Sequence, residues 1–238
     1  MSNLPIKELK PEQAELMNFE TYIITLKLDG SLMYYNNGKL FSPRCDRSER
    51  FSHILTTLKE NNMPNCYGEV YIGEDKNVFD VSRSENWRNA LFCPIDLIDN
   101  KLSLKERQEI IKNKVSEINS FYITELKKFD SFKEGWNYVK ENNREGLVIR
   151  NDNEFYKVKI LKEVKEEIVS HLKGTSLKGT FTLLSGNKVS GTSESYVKQY
   201  LDIVARGNKA IAEIEYPFLT EDNKYFQPRL RLIREVLK

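Results

Sequence analysis

The chain has 238 residues, a formal net charge of +2, and a composition that is 39% hydrophobic and 30% charged. This length allows one large domain or two small ones, and the composition excludes a disordered, collagen-like or coiled-coil chain. The small net charge excludes a globally basic nucleic-acid binder, so any nucleic-acid surface must be a local patch.

Sequence features also bear on where the protein resides. No apolar run approaches the ~20 residues that span a bilayer, and the N-terminus has no signal-peptide pattern. The three cysteines are odd in number and lack a Cys-x-x-Cys spacing; they are Cys45, Cys66 and Cys93. We therefore expect reduced thiols, no zinc site and a cytoplasmic location, which includes the nucleoid or the cytoplasm of a virus-infected host.

The first two thirds of the chain alternate predicted strands with predicted helices. The turn Asn36-Asn37-Gly38 predicts a hairpin, because Asn and Gly tolerate positive φ. Helices are predicted from the apolar face that follows Asp46, from the capping box of Ser103 with Glu106, and over Ser131–Asn142. Alternating or β-branched residues predict strands at Tyr22–Leu28, Leu32–Tyr35, Lys39–Ser42, Cys66–Ile72, Ala90–Ile98, Tyr122–Phe129, Gly146–Arg150 and Phe155–Ile160.

The sequence pattern changes near residue 165. Lys162–Leu172 is predicted to be a charged connector between two domains. After it come short strand-like runs separated by glycines, an amphipathic helix around Ser195–Ala205, and strands at Ala210–Pro217 and Leu230–Val236. Short strands with one helix favour a small β-barrel. We therefore predict two domains, 1–165 and 166–238.

Lys27 lies at the end of a predicted strand, in the sequence Leu26-Lys27-Leu28-Asp29-Gly30. A strand would hold the lysine rigidly, and a glycine lets the backbone pass close to a ligand. A lysine whose protonated form is disfavoured by desolvation and neighbouring cations can act as a covalent nucleophile. Lys157 and Lys159 lie two apart on a predicted strand, so their side chains point to the same face.

Six further blocks follow Lys27 along the chain. They are Ser42–Arg44, Tyr67–Tyr71, Phe92–Leu97, Arg144–Arg150, Tyr156–Lys159 and Gln227–Arg234. In this order the blocks resemble the motif set of the covalent nucleotidyltransferases, which comprise ATP-dependent DNA ligases, RNA ligases and mRNA capping enzymes. The resemblance is to a minimal ATP-dependent DNA ligase. It implies an α+β fold, with an ATP-grasp-like nucleotidyltransferase domain of two antiparallel sheets and flanking helices, followed by a small OB-fold β-barrel.

The resemblance also implies roles for individual residues. Lys27 would take AMP from ATP to form a lysyl-adenylate, with Lys157 and Lys159 on the α-phosphate and Arg234 orienting the pyrophosphate. Leu26 would also contact the nucleotide, Glu69 would bind its ribose, and Ile95 and Val148 would sandwich the purine base. Glu145, with Asp29, would hold Mg²⁺ or Mn²⁺, which prefer carboxylate and phosphate oxygens together.

The expected partner is nicked duplex DNA, bound by a monomer. Arg44 or Arg47 would contact the 5′-phosphate, since a guanidinium suits phosphate geometry. The chain departs from the resembled pattern at three positions: Leu32 stands where an arginine is usual, Ile95 where an aromatic is usual, and Phe226 where another arginine is usual.

Three alternative functions remain open. The pair Ser31-Leu32 also resembles a subset of RNA ligases. A capping guanylyltransferase would share the lysine and the barrel, but a tryptophan is usual where Val158 stands. A non-catalytic OB-containing nucleic-acid binding module would not need the lysines and glutamates of the ordered blocks.

Overall fold

The computed structural model describes residues 5–73, 85–98, 101–173, 179–220 and 222–237. It divides into two compact units, Met1–Lys159 and Ile160–Lys238. This division lies six residues before the predicted one, between 159 and 160 instead of between 165 and 166. No helix in the described ranges is long and apolar enough to cross a membrane.

The first unit mixes short strands with helices. Its elements are β1 (Ile6–Leu9), α1 (Pro11–Glu15), β2 (Ile23–Lys27), β3 (Ser31–Asn36), β4 (Lys39–Phe41), α2 (Ser52–Glu60), β5 (Cys66–Tyr71), a 3₁₀ helix (Glu85–Asn89), β6 (Leu91–Leu97), α3 (Leu104–Glu117), β7 (Lys128–Phe129), α4 (Phe132–Glu141), β8 (Gly146–Arg150) and β9 (Phe155–Lys159).

The strands of the first unit form two sheets. The first sheet has the order β1-β9-β8-β2-β7, and the second has the order β4-β3-β5-β6. All pairs in the second sheet are antiparallel, whereas the first sheet contains one parallel pair, β1 with β9. The prediction of two antiparallel sheets is therefore right except at β1, a strand that the sequence pattern did not reveal.

Two helices of the first unit, α3 and α4, begin where the sequence places caps. Ser103 accepts a hydrogen bond from the Glu106 amide at 3.4 Å, and its own amide donates to the Glu106 carboxylate at 2.8 Å. Ser131 caps α4 by accepting from the Glu134 amide at 3.1 Å. Each cap satisfies a backbone N–H that has no partner within the helix, so the predicted starts of α3 and α4 are confirmed.

The predicted strand Tyr122–Phe129 is wrong as a single element. Phe92 of β6 donates to the Tyr122 carbonyl and accepts from the Thr124 amide, which places this part beside the second sheet. Lys128–Phe129 instead pairs with β2 in the first sheet. The segment crosses from one sheet to the other, so it cannot form one continuous ladder.

The second unit contains one antiparallel sheet and one helix. Its elements are β10 (Lys162–Lys173), β11 (Gly179–Leu183), β12 (Lys188–Thr192), α5 (Glu194–Ala205), β13 (Lys209–Tyr216) and β14 (Arg229–Val236), and the sheet order is β12-β11-β10-β13-β14. Lys162–Leu172, predicted to be a connector, is most of β10. Val164 and Ile168 of this strand pack into the core of the unit, while charged residues alternate with them.

The sheet of the second unit curls but does not close in the described residues. β10 pairs with β13 along its first half and with β11 along its second half, with a register shift between Ile168 and Ser170. β12 and β14, at the two edges, approach each other without forming a ladder among the described residues. The unit is therefore a curled five-stranded sheet, and the closed barrel that the sequence suggested is not seen in this part of the chain.

A polar cluster joins β1 to β9 on the first sheet. Glu154 accepts hydrogen bonds from the Tyr156 hydroxyl at 2.6 Å, from the Tyr22 hydroxyl, and from the Lys7 ammonium at 3.3 Å. The Tyr156 and Tyr22 hydrogen bonds and Lys7 lower the pKa of Glu154 to about 2, and the bond to Glu154 raises the pKa of Tyr22 to about 12.

We expect Glu154→Gln to lower stability at neutral pH and to have little effect in strong acid. The folded-state pKa of Glu154 lies below its ordinary value of 4.5, so its contribution is present above that value and is lost as pH falls toward about 2. Urea unfolding of both proteins at pH 7, 5 and 3 measures this difference. A difference that does not shrink between pH 5 and pH 3 would contradict the assignment.

Candidate active site

The candidate site lies on one face of the first sheet. Gly146 of β8 stands between Lys27 of β2 and Lys159 of β9. Two residues further along the same strands, Val148 stands between Thr25 and Lys157. Residues directly opposite each other in a sheet share a face, as do residues two apart on a strand. The register therefore places Lys27, Lys157 and Lys159 on the same face, as the sequence predicted for the last two.

The opposite face of the same strands is core. Leu26, Leu147 and Val158 alternate with the lysines and are at most 2% exposed. Leu26 was predicted to contact the nucleotide, but its side chain points away from Lys27, and its amide donates to the Lys127 carbonyl at 2.9 Å. Alternation along the strand thus separates Leu26 from the lysine face.

Glu145 joins two of the lysines. Its Oε2 lies 2.5 Å from Lys27 Nζ, and its Oε1 lies 2.9 Å from Lys159 Nζ. The Lys27 and Glu145 side chains are only 17% and 12% exposed. Such shielded, charge-assisted contacts are stronger than surface ion pairs, so Glu145 fixes the position of the Lys27 amine.

Two glycines let the backbone come close at this site. A Cβ on Gly146 would lie 2.0 Å from the Val158 carbonyl oxygen, and a Cβ on Gly30 would lie 2.4 Å from the Val70 carbonyl oxygen. Both distances are far shorter than any real contact of a Cβ atom. Gly146 therefore allows β8 and β9 to pair next to Lys159, and Gly30 allows the turn after Lys27 to pass β5.

Glu69 shares this electrostatic environment. The pKa of Glu69 is raised to about 7, chiefly by burial; Lys27 and Lys157 oppose the shift, and the carboxylates of Glu145 and Asp29 add to it. Burial, with the cations Lys27 and Lys159, lowers the pKa of Lys157. Glu69 is therefore linked electrostatically to the lysines and carboxylates of this site.

The carboxylates of this cluster fit a divalent cation completed by phosphate oxygens. Within the described residues, no group of three or more His, Cys, Asp or Glu side chains is arranged to hold a metal by itself. Mg²⁺ commonly uses only one or two carboxylates together with the phosphates of a substrate. Glu145 and Asp29, whose negative charges both disfavour ionisation of Glu69, are the carboxylates that would hold such a cation.

The two predicted base-contacting residues lie on different sheets. Val148 is half-buried on β8, and its carbonyl accepts from the Thr25 hydroxyl at 3.4 Å. Ile95 is half-buried on β6 and belongs to a small apolar cluster that includes Leu28. Phe92, an aromatic residue of the same strand, is fully buried against Gly68 and is a core residue.

The predicted phosphate-binding arginines come from one tight loop. Ser42 accepts hydrogen bonds from the Arg44 and Cys45 amides, and the Arg47 amide donates to the Leu40 carbonyl at 2.7 Å. Arg44 and Arg47 line a cavity of about 250 Å³, together with Arg50, Ser31 and Leu32. The spacing of three residues between the arginines was a signal from which Arg50 could also have been predicted.

Arg234 lies in the second unit, on β14. Its Nε donates to Glu213 Oε1 at 2.6 Å, and Lys165 contacts the same carboxylate at 3.1 Å. Its side chain is 58% exposed. Phe226, which replaces an expected arginine, is buried and stacks on Phe218 with ring centroids 4.5 Å apart.

A buried charge network was not predicted. Asp96 of β6 accepts from Arg107 of α3 and from Arg150 of β8, and all three side chains are less than 10% exposed. An aspartate and an arginine within two otherwise apolar strands were the available signal. Such residues are rarely buried unless they are paired.

The fold matches solved DNA ligases over nearly the whole chain. A structure from work on DNA binding with a minimal scaffold by Lig E DNA ligases has 15% identity, a TM-score of 0.72, and an alignment that covers 97% of this chain and 98% of that chain. A mycobacterial DNA ligase D complexed with ATP and MES has 13% identity, a TM-score of 0.51, and coverage of 97% and 94%. A Chlorella virus DNA ligase-adenylate has 16% identity, a TM-score of 0.50, and coverage of 99% of both chains.

These matches define the architecture. The two units together have the mixed α+β arrangement of a nucleotidyltransferase domain followed by an OB domain. More particularly, the chain has the fold of the minimal ATP-dependent DNA ligases. A scan against protein-family models and a search of curated proteins find no match to the chain.

Proposed function

We propose that this protein is an ATP-dependent DNA ligase that seals nicks between a 5′-phosphate and a 3′-hydroxyl in duplex DNA. The observation that carries the proposal is the convergence of Lys27, Glu145, Lys157 and Lys159 on one face of the first sheet. The full-length likeness to solved DNA ligases supports the same choice.

The proposed reaction begins at Lys27. Its Nζ gives one proton to Glu145 and attacks the α-phosphorus of ATP. A P–N bond forms, the bond to the β-phosphate oxygen breaks, and pyrophosphate leaves with the second proton that the nitrogen loses. Glu145 Oε2, 2.5 Å from Nζ, is placed to accept the first of these protons. Lys157 and Lys159 offset the negative charge of the phosphates, which is the main task of a protein in phosphoryl transfer.

The later steps return Lys27 to its starting state. An oxygen of the 5′-phosphate attacks the phosphorus of lysyl-AMP, and the P–N bond breaks to give an adenylated DNA end. The 3′-hydroxyl then attacks the 5′-phosphorus, a phosphodiester forms, and AMP leaves. A divalent cation held by Glu145 and Asp29 would neutralise phosphate charge when bound.

The decisive experiment is covalent labelling followed by a chase. The protein is incubated with Mg²⁺ and α-labelled ATP or GTP, and the labelled protein is then mixed with nicked duplexes of DNA or RNA strands. We expect labelling by ATP and transfer to nicked DNA. Labelling by GTP alone would indicate a capping guanylyltransferase, sealing confined to RNA would indicate an RNA ligase, and DNA binding without any labelling would indicate a binding module.

We expect Arg44→Ala and Arg47→Ala to impair AMP transfer to the nick while leaving lysyl-AMP formation within about twofold. Each arginine lines the cavity beside Leu32 and would contribute charge-assisted hydrogen bonds to the 5′-phosphate, so each loss should slow transfer by about 10- to 100-fold. Single-turnover transfer from purified lysyl-AMP enzyme measures this step. Arg88→Ala removes an exposed arginine elsewhere in the same unit and is the control; an equal loss in that variant would indicate a general charge effect.

A further inference from the structure

The buried charge network connects the two sheets of the first unit. Arg107 donates to both oxygens of Asp96, at 2.7 and 3.3 Å, and Arg150 donates to Oδ2 at 3.0 Å. Asp96 lies on the second sheet and Arg150 on the first. A buried carboxylate shared by two guanidinium groups is costly to break, because removing one partner leaves a buried charge undercompensated.

Ile95 lies at an irregularity next to this network. In the ladder between β5 and β6, Gly68 stands opposite Pro94 and Tyr67 opposite Asp96, so Ile95 is an extra residue with no partner of its own. An extra residue of this kind is a β-bulge, which turns a side chain away from the regular alternation. The side-chain direction of Ile95 therefore depends on what holds the bulge.

Side chains hold the bulge through its carbonyl. The Ile95 oxygen accepts from Arg150 Nη2 at 2.7 Å and from Gln108 Nε2 at 2.5 Å. One fork of the Arg150 guanidinium thus binds Asp96 while the other binds the backbone of Ile95. Arg107 binds Asp96 and the Leu102 carbonyl.

Arg150 is also linked to Val148, the other predicted base contact. The two residues are separated by one position on β8, so their side chains project from the same face. The guanidinium that reaches Ile95 therefore starts from the strand that carries Val148. The length of the Arg150 side chain and its two hydrogen bonds fix the spacing between the bulge on β6 and this part of β8.

We infer that Arg150 is a positioning residue that sets the gap between Ile95 and Val148 in which the adenine base is held. The inference rests on the proposed function. Ile95 and Val148 provide no aromatic ring to stack on the base. Their binding of the base therefore depends on close van der Waals contact, which a rigid spacing preserves. Arg150 acts through Ile95 and does not touch the reacting atoms.

The test compares Arg150→Lys with Arg107→Lys. Each variant keeps a positive charge beside Asp96, but a lysine lacks the planar fork that binds two partners. We expect Arg150→Lys to raise KM for ATP in lysyl-AMP formation by about tenfold, with kcat within about threefold, because base contacts act equally in the ground and transition states. Arg107→Lys should leave this KM within about twofold.

Inhibitors separate base positioning from a general loss of structure. Adenosine contains the base without phosphates, so its Ki should rise with KM in Arg150→Lys, whereas the Ki of pyrophosphate should not change. Gln108→Leu removes the second donor to the Ile95 carbonyl and should raise KM for ATP by about threefold. This variant tests the inference if Arg150→Lys does not fold.

The outcomes distinguish the inference from the proposed function. A wild-type protein that no nucleotide labels would overturn the proposed function itself. With labelling established, an equal rise in KM for Arg107→Lys and Arg150→Lys would show a purely structural network and overturn the inference. So would an Arg150→Lys variant with unchanged KM for ATP, or one in which the Ki of pyrophosphate rises as much as that of adenosine.

Discussion

Replacing Lys27 with alanine is expected to abolish covalent labelling by ATP, with a loss of at least about ten-thousand-fold. The amine at this position is the atom that forms the P–N bond, and no rearrangement of the remaining groups supplies another nucleophile at the same point. Nick sealing from ATP should fall to the same extent. Gel detection of the labelled protein measures the first effect, and ligation of a fluorescent nicked duplex measures the second.

A second substitution separates the chemistry from the fold. Lys27→Arg keeps a cation beside Glu145 but replaces the amine with a guanidinium that stays protonated. We expect this variant to retain the melting temperature of the wild type and still to lack labelling. Lys112→Ala, which removes an exposed lysine from α3, should label normally. Labelling of Lys27→Arg at the wild-type level would show that Lys27 is not the nucleophile.

Gly146→Ala is expected to cause the largest loss of stability among single-atom changes at the site. The added Cβ would lie 2.0 Å from the Val158 carbonyl oxygen and 2.9 Å from the Lys159 Cα. These are backbone atoms of the paired strand β9, so β8 and β9 must move apart next to Lys159. We expect a cost of about 3 kcal/mol or more, with a melting temperature lower by about 6–12 °C.

The matched control for this change is Gly207→Ala. Gly207 has φ of +79° and nothing within 4 Å of an added Cβ, so alanine there meets backbone strain without a clash. Its cost should be only about 1 kcal/mol. Urea unfolding and single-turnover labelling of both variants measure stability and activity. Similar losses in the two variants would mean that the close approach of β8 and β9 is unimportant.

Alternation in the sequence predicted most strands of the first unit because one face of each is buried. It did not reveal β1, since Ile6, Lys7 and Glu8 are all exposed and no apolar pattern marks the strand. Lys162–Leu172 was misassigned for a related reason. Its charges suggested a connector, but Val164 and Ile168 of β10 pack into the core of the unit, and Glu166 between them accepts from the Ser185 amide at 3.1 Å.

The sequence predicted which residues belong to the candidate site, but not which of them contact each other. The blocks identified Lys27, Glu145 and Lys159 one at a time. That Glu145 contacts both lysines follows from the register of β2, β8 and β9, which short-range sequence patterns do not specify. The prediction for Leu26 overlooked alternation, because a neighbour of Lys27 on the same strand must point to the other face.

The strand order of the first sheet has a consequence for how the protein is made. Lys27 must pair with β8, more than 100 residues later in the chain, and β1 must pair with β9, about 150 residues away. Contacts between such distant segments form slowly, because the intervening chain loses entropy when they meet. During translation, Lys27 therefore leaves the ribosome long before Glu145 and Lys159 exist, and the site assembles only after residue 159 has been added.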